Sequence, residues 1–314
     1  MVKIGQNHAM SKIADITSVG FNPPRDTRLA VEAMSIDELR QRAPADHFNQ
    51  LQRADFYRLI GVLEGQTCPM VDFSTIAAKP GDWLLVRPGQ IFRYDFSRSW
   101  VGWIVVFRPD GLDILPKLDD LLCLRSLNAE QQDWMSRCMQ QLHKDGALST
   151  DVGLRNALLR LQLSGTLLRL WHWQSLDVAP GSYATAELSN FRRFRNLLEL
   201  NFASQHQVQH YASTLGMSEK TLSRLCAATT GVPAKTVIQQ RVALEAKRLL
   251  AHTHLAVQTV GQELGFEDPT NFVKFFRKET GMTPLAFRAS QKAIPDNRPL
   301  AHSDSQITGT QFSV

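Results

Sequence analysis

The sequence lacks the patterns of small disulfide-rich secreted domains and of membrane spans. Its four cysteines are scattered over 314 residues without a C-x-x-C pair, so we expect free thiols and no disulfide framework. The longest nearly apolar run, residues 100–107, is far shorter than the roughly 18 residues of a membrane span. The first twenty residues also lack the apolar segment of a secretion signal. We therefore expect a cytoplasmic protein with no membrane partner.

The sequence also lacks the common catalytic and metal-binding patterns. His206 and His210 have the spacing of the zinc-protease motif H-E-x-x-H, but Gln207 stands where the general-base glutamate is needed. The pair His252 and His254 is typical of a polar turn. No Ser/His/Asp set, Cys/His set or phosphate-binding glycine loop is found elsewhere. We therefore expect no catalytic residues, no metal and no cofactor.

Net positive charge is absent from the first 190 residues and concentrated later in the chain. Residues 1–190 hold 20 basic and 21 acidic side chains, whereas residues 191–290 hold 13 basic and 7 acidic ones, a net charge of +6. With 43% hydrophobic residues, the chain is long enough to bury two separate cores. A positive excess confined to one segment is typical of a nucleic-acid-binding domain.

One pattern of apolar residues occurs twice in this basic segment. Apolar positions at helical spacing precede Gly216, and the same spacing precedes Gly265, 49 residues later. Each glycine is followed by a bulky apolar residue, a helix-capping residue and a second apolar set that ends at a helix-stopping glycine. The pattern predicts a tandem helix-turn-helix, with units at about 208–230 and 257–280.

The second helix of each unit has the start and the surface of a DNA-recognition helix. Ser218 and Asp268 are placed to cap these helices, and Pro269 occupies the first helical position, where no N–H is needed. A helix in the major groove reads base edges with polar and basic side chains. The candidates on the outer faces are Lys220, Thr221, Ser223 and Arg224 in the first unit and Thr270, Asn271 and Lys274 in the second.

Residues 191–290 resemble the DNA-binding domain of the AraC/XylS family of transcriptional regulators, and LGFEDPTNFVKFFRKETGMTPLAFR at 264–288 is similar to the family's signature. Two positions depart from the family pattern. Gly261 replaces a usual alanine, which should weaken its helix by about 1 kcal/mol, and Cys226 replaces a usual phenylalanine, which predicts a less well filled first unit. The resemblance implies binding to a double-stranded DNA operator, more often by an activator that contacts RNA polymerase than by a repressor.

The helix that connects the two units is predicted at residues 234–251. Its core positions are expected at Ile238, Val242, Ala246 and Leu249, and Arg241 stands where the family usually has arginine. Its 18 residues span roughly 27 Å at 1.5 Å per residue, which approaches the ~34 Å repeat of B-DNA. We therefore expect the recognition helices to reach successive major grooves, with Lys247 and Arg248 available to phosphates or solvent.

Between residues 47 and 107 the pattern changes to short strands separated by turn residues. Strands are predicted at 56–63, 70–76, 83–87, 91–96 and 101–107, which suits a small antiparallel β-barrel. PGDWLLVRPGQIF at 80–92 resembles the cupin-like effector domain of many such regulators, but Phe92 replaces a common metal-binding histidine. A small molecule could bind in the barrel mouth. The candidate effector-binding residues, each of which could equally be ordinary core or strand face, are Tyr57, Arg58, Trp83, Arg93 and Trp103.

Helical spacing returns after residue 127. Asn128 with Gln131 predicts a capped helix that ends near Gly146, and a longer helix is predicted at 151–173. One apolar face of the longer helix is expected at Leu154, Ala157, Leu158, Leu161, Leu167, Leu168 and Trp171, with Leu159, Leu163 and Leu170 off that face. A second buried surface is therefore required. It is either packing within the same domain or a homodimer contact, which the resemblance favours.

We expect an α+β chain, with a cupin-like antiparallel β-barrel and a helical dimerisation segment before an all-α double helix-turn-helix domain. The predicted divisions are an N-terminal arm at 1–45, the effector-binding barrel at 46–115, the helical dimerisation segment at 116–178, a linker at 179–190, the DNA-binding domain at 191–290 and a polar tail at 291–314. An enzyme would need ligands or acid/base pairs that the barrel lacks, and an architectural DNA-binding protein would need minor-groove arms or apolar wedges. The sequence therefore predicts a sequence-specific regulator of transcription that responds to a small-molecule effector. The alternatives are a repressor of the same family and an effector-independent architectural protein.

Overall fold

A computed structural model describes residues 17–19, 30–42, 48, 50–108, 112, 118, 124–176 and 184–292. The predicted hinge at 179–182, the residues from 293 onward and most of the predicted N-terminal arm lie outside the described residues. The strands are β1 (Thr17–Val19), β2 (Val31–Ser35), β3 (Gln52–Ala54), β4 (Tyr57–Gly65), β5 (Met70–Val71), β6 (Ser74–Thr75), β7 (Asp82–Val86), β8 (Ile91–Arg93), β9 (Trp100–Phe107) and β10 (Leu124–Ser126). The helices are α1 (Ile36–Arg42), α2 (Ala129–Gly146), α3 (Val152–Leu176), α4 (Ala184–Asn201), α5 (Val208–Thr214), α6 (Glu219–Thr230), α7 (Ala234–His252), α8 (Val257–Glu263), α9 (Pro269–Thr280) and α10 (Pro284–Lys292).

The strands form two five-stranded sheets, which we call together the β domain. The first sheet has the order β1-β3-β8-β5-β6 and the second has the order β10-β7-β4-β9-β2. Among the described strands, β1 and β3 pair in parallel and the other pairs are antiparallel. The predicted β-rich N-terminal part and helical C-terminal part are therefore confirmed, with one parallel pair that the sequence did not predict.

The second sheet separates two hydrophobic cores, because successive side chains of a strand point to opposite faces. In β4, Tyr57 and Leu59 belong to a core formed with α2 and α3. Ile60 and Val62 belong to a core that fills the space between the two sheets. Full burial of each large apolar side chain contributes roughly 1.5–3 kcal/mol, so both faces of this sheet stabilise the fold.

The segment 70–76, predicted as one strand, is a hairpin of two short strands. Asp72 and Phe73 have φ values of 49° and 68°, in the left-handed region, and the chain reverses so that Met70 pairs with Thr75. The strands β1, β2, β3 and β10 were not predicted. Those of three residues are too short to show alternation, and β2 has four successive buried residues, so it shows none either.

The buried side of the long helix α3 differs in part from the face that the sequence marked. Leu159, Leu163 and Leu170 are buried against α2 and the second sheet, whereas Leu154 and Leu161 are each 63% exposed. Leu167 of the marked face is also buried, so the buried side of α3 combines residues of both sets. Leucines surround this helix, and periodicity alone cannot decide which stripe faces the core. The preceding helix α2 is as expected, with both halves of the capping box between Asn128 and Gln131 formed.

The helices α4–α10 share a separate hydrophobic core around α7. Ile238, Val242 and Ala246 on α7 are buried as predicted, but Leu250 is fully buried and Leu249 only half-buried. The stripe follows a strict spacing of four residues here, so it runs to 250 instead of shifting to 249. Because α7 contacts α5, α6, α8, α9 and α10, it fixes the relative placement of the two helix pairs.

Candidate DNA-binding surface

The first helix-turn-helix unit consists of α5 and α6. Gly216, with φ of 70°, follows α5 and lets the chain turn sharply. Ser218 caps α6, because its hydroxyl accepts the N–H of Thr221 at 3.1 Å. Tyr211 of α5 is fully buried and its hydroxyl donates to the carbonyl of Gln205 at 2.7 Å. The first helix is therefore anchored in the core while the second remains available at the surface.

The second unit, α8 and α9, repeats this geometry. Gly265 has φ of 76°, and a Cβ at that position would lie 2.5 Å from the carbonyl oxygen of Ala203, so the turn requires glycine. Asp268 caps α9 by accepting the N–H of Thr270 at 2.7 Å, and Pro269 occupies the first turn. Both units thus present a capped second helix, as the repeat in the sequence predicts.

The predicted DNA-reading residues lie on the outer faces of α6 and α9. Leu222, Leu225 and Cys226 of α6 and Phe272 and Phe276 of α9 are buried, so the opposite sides of the two helices face solvent. The exposed candidates are Lys220, Thr221, Arg224, Thr270, Asn271 and Lys274, and Ser223 is half-buried. Each helix therefore brings its candidates together on one accessible surface.

The two departures from the usual family residues are accommodated differently. A Cβ at Gly261 would lie 3.1 Å from Cβ and Cγ of Phe272, so the glycine allows that ring to pack closely against α8. Cys226 is fully buried, and burial raises the pKa of its thiol to about 11. It therefore behaves as a small apolar core residue. Cys68 and Cys138 are also free thiols in the described part of the chain.

His206, one of the two histidines with the spacing of the zinc-protease motif, packs against an aromatic side chain. The ring of His206 lies 5.0 Å from the ring of Phe266, and burial lowers the pKa of His206. No group of three or more His, Cys, Asp or Glu side chains that could hold a metal occurs among the described residues. The helices within those same residues include none long and apolar enough to cross a membrane.

Comparisons with known proteins match both parts of the chain. A helix-turn-helix domain matches residues 211–290, and an AraC-like ligand-binding domain matches residues 34–156. The HTH-type transcriptional activator RhaR of Cronobacter sakazakii (strain ATCC BAA-894) is 32% identical over 268 residues, which cover 82% of this chain and 91% of that protein. The chain belongs to the AraC family of transcriptional regulators. This family consists of regulators of transcription and not of enzymes.

Two further AraC-family relatives are similar over two thirds or more of this chain. RhaR of Escherichia coli O139:H28 (strain E24377A / ETEC) is 23% identical over 256 residues, 79% of this chain and 89% of that protein. The arabinose operon regulatory protein of Escherichia coli (strain K12) is 28% identical over 222 residues, 67% of this chain and 73% of that protein. The similarity thus includes the ligand-binding domain as well as the DNA-binding domain.

Within the AraC-like ligand-binding domain, the five candidate effector residues do not come together. Tyr57, Trp83 and Trp103 lie on the face of the second sheet that packs against α2 and α3. Arg58 points to the opposite side, between the two sheets, and Arg93 is half-buried at the end of β8. A site between the sheets therefore includes at most Arg58 and its neighbours.

Arg58 has unusual surroundings for an arginine. Its side chain is 2% exposed, and Nη2 donates to Oε1 of Gln52 at 3.0 Å. The guanidinium lies over the rings of Phe56, Phe92 and Tyr94, at 5.0, 5.1 and 5.9 Å from their centres. Burial lowers the pKa of Arg58. Cation–π contacts therefore replace much of the hydration that the guanidinium loses.

The two domains of this AraC-family chain touch through four charged residues, which we call the interdomain cluster: half-buried Arg53 and Asp72 of the β domain with buried Glu245 and Arg248 of α7. Arg248 donates to both carboxylate oxygens of Asp72, from Nε at 2.8 Å and from Nη2 at 2.7 Å. Arg53 donates to Oε1 of Glu245 at 2.8 Å, and Arg248 donates to Oε2 of Glu245 at 3.0 Å. Burial raises the pKa of Glu245, but Arg248, Arg241 and Arg53 outweigh burial and hold that pKa below its ordinary value.

The cluster corrects the expectation that Arg248 is available to phosphates or solvent. Arg248 is 7% exposed and fully engaged with carboxylates, and Nζ of Lys247 lies 5.6 Å from the centre of the Phe73 ring. The sequence contained one signal of this arrangement, because an aspartate such as Asp72 is unfavourable inside a strand. It could not identify the partner of Asp72, since 176 residues separate Asp72 and Arg248.

Proposed function

We propose that this protein is a sequence-specific activator of transcription that responds to a small-molecule effector. Two capped recognition helices with exposed polar and basic side chains, held by one connecting helix, support DNA reading. The names of the two RhaR relatives, which are transcriptional activators, support activation. A repressor would use the same DNA surface. A reporter gene placed behind a DNA site that the protein selects from random sequence tests whether the protein activates or represses. Lower reporter expression in the presence of the protein would contradict activation.

Arg224 is proposed to read a base edge from α6. Its side chain is exposed one turn after Lys220, and arginine can donate two hydrogen bonds to a guanine. We expect Arg224→Ala to weaken binding to the preferred site by about 1–3 kcal/mol and to relax the preference at one base pair. Fluorescence anisotropy with a duplex selected from random sequence, and with single-base variants of it, measures both effects.

Arg137→Ala is the matched control for that substitution, because Arg137 is an exposed arginine on α2, paired with Asp133 and outside the DNA-binding domain. It should leave affinity and base preference unchanged. Equal weakening of all duplexes by Arg224→Ala would show a phosphate contact and not base reading.

We also propose that α3 forms a homodimer contact. Its solvent side carries Leu154, Leu158, Leu161 and Leu168, with Gly165 at the intervening position. These positions alternate between spacings of four and three residues, which is the repeat of helices that pack side by side. Leu154 and Leu161 are each 63% exposed, and an exposed apolar stripe of this kind is typical of an interface.

Leu161→Asp should convert the proposed dimer into a monomer without unfolding it, because the side chain is on the solvent side of α3. Sedimentation velocity at micromolar concentration measures the association. Leu200→Asp is the control, since Leu200 is 82% exposed on α4 and should leave the dimer intact. A wild-type protein that sediments as a monomer at micromolar concentration would rule out this contact.

A further inference from the structure

We propose that Arg58 binds the carboxylate of a small organic acid inside the β domain, and that this acid is the effector. Arg58 lies on β4 with its side chain between the two sheets, and it is 2% exposed. The inference rests on the effector response proposed above and adds to it the chemical class of the ligand. A neutral effector would leave the buried charge of Arg58 without a counter-ion.

Arg58 carries a buried positive charge that no carboxylate balances within the described part of the chain. Its guanidinium donates from Nη2 to the neutral amide oxygen of Gln52 at 3.0 Å, and Nη1 is buried with no hydrogen-bond partner among the same residues. Removal of an unpaired ion from water is costly, and buried charges in folded proteins are ordinarily paired. An anion from outside the chain is therefore the missing partner.

Arg248 shows how this chain balances another buried guanidinium. It is 7% exposed, yet Nη2 lies 2.7 Å from Oδ2 of Asp72 and Nη1 lies 3.0 Å from Oε2 of Glu245. Burial lowers the pKa of Arg248, but these two carboxylates outweigh burial and raise that pKa above its ordinary value. Around Arg58, burial prevails and lowers the pKa. One buried arginine is thus supplied with carboxylates by the chain, and the other is left to a ligand.

The surroundings of Arg58 favour an acid with one negative charge and an apolar body. A single guanidinium balances one charge, so a carboxylate fits better than a phosphate group with nearly two. The rings of Phe56, Phe92 and Tyr94 surround the guanidinium. From Tyr94 the aromatic surface continues to half-buried Phe96, whose ring centre is 5.3 Å away. The carboxylate meets Arg58 while the rest of the acid packs on aromatic side chains.

Binding of the acid requires a local rearrangement, because Nη1 is closed to solvent in this structure. The neutral amide of Gln52 is the weaker acceptor for Arg58, since a carboxylate forms shorter and stronger hydrogen bonds with an arginine. The acid therefore replaces Gln52 at Nη2 and binds Nη1 at the same time. Two parallel hydrogen bonds from one guanidinium select the planar carboxylate group.

The full-length variant Arg58→Met tests whether this buried charge lacks a counter-ion. Methionine is apolar and similar in length, so without the acid we expect the β domain of the variant to unfold roughly 2 °C or more above the wild type in calorimetry. Arg248→Met is the matched control, because it removes a buried guanidinium that carboxylates do balance, and it should lower the unfolding temperature. An Arg58→Met protein no more stable than the wild type would show a structural role and overturn the inference.

Ligand binding by the wild-type protein provides a second test, which does not depend on the folding of a variant. The probes are monocarboxylates of about two to eight carbons, and the controls are the corresponding primary amides, which keep the shape without the charge. At least one acid should raise the unfolding temperature of the wild type saturably, by roughly 2 °C or more, and should leave Arg58→Met unchanged.

The outcomes separate this inference from the proposed function. Equal stabilisation by an acid and its amide, or none by any acid, overturns the inference that Arg58 binds a carboxylate. Stabilisation by an amide alone also overturns it but leaves the effector response standing. Failure of the proposed DNA-binding function would appear separately, as no binding to any duplex selected from random sequence.

Discussion

Insertion of five base pairs between the two DNA segments that α6 and α9 of one protomer contact should reduce binding of the protein by about 100-fold or more. The connecting helix α7 has 19 residues and so spans about 28 Å at 1.5 Å per residue. This length suits two recognition helices in successive major grooves, about 34 Å apart. Five base pairs rotate one half-site to the opposite side of the duplex, where a rigid domain cannot reach it.

The domain has little freedom to compensate for the inserted base pairs. Val242 and Ala246 of α7 are buried in a core shared with both units, so α7 cannot bend without breaking that packing. Affinity is measured by mobility shift on duplexes with zero, five and ten inserted base pairs. A duplex of unchanged length but altered central sequence is the control and should bind normally. Unchanged affinity for the five-base-pair insertion would mean that a single unit engages DNA.

Phe272→Ala should destabilise the DNA-binding domain by about 3–5 kcal/mol, a large fraction of the 5–15 kcal/mol typical of a whole domain. The ring is fully buried and packs against Phe266 at 5.4 Å and Phe276 at 6.0 Å. Gly261 faces this ring closely and has no side chain that could fill the space left by its removal. We expect the second unit to lose DNA binding, because α9 would no longer be packed firmly in the core.

Urea unfolding monitored by circular dichroism gives the change in the free energy of unfolding. Leu285→Ala is the control, because Leu285 is 65% exposed on α10 and should change stability by less than about 0.5 kcal/mol. A loss of less than about 1 kcal/mol for Phe272→Ala would contradict the assigned packing of α9.

The helix-turn-helix units could be predicted from the sequence because their information is local. Gly216 and Gly265 mark the turns, Ser218 and Asp268 mark the starts of the second helices, and apolar spacing marks the buried faces. Each of these residues determines the structure only of positions a few residues away in the sequence. The surfaces that carry the candidate DNA-reading residues follow directly from these signals.

The β domain and its contacts depend on residues far apart in the chain, so the sequence predicts them less well. The register of β2 with β9 and the parallel pair of β1 and β3 depend on tertiary packing. Periodicity cannot select the buried face of α3, where leucines occur on every side. Nor does any local pattern pair Asp72 with Arg248, since 176 residues separate the two ends of that contact.

The interdomain cluster also constrains how such regulators can exchange modules. If the two domains were separated and recombined with others, Glu245 would keep Arg241 and Arg248, which belong to its own helix. Among the described residues of its own domain, Asp72 would keep the neutral donors Gln90 and Ile91.

The two modules are therefore unequal as donors in a recombination event. The DNA-binding domain could join a foreign effector domain and still balance its buried charges within α7. The β domain would give up the Arg53 contacts with Glu245 and His252 and would need a new partner with an arginine opposite Asp72. A chimaera built with this DNA-binding domain should fold more readily than one built with this β domain, and successful natural chimaeras should show the same bias.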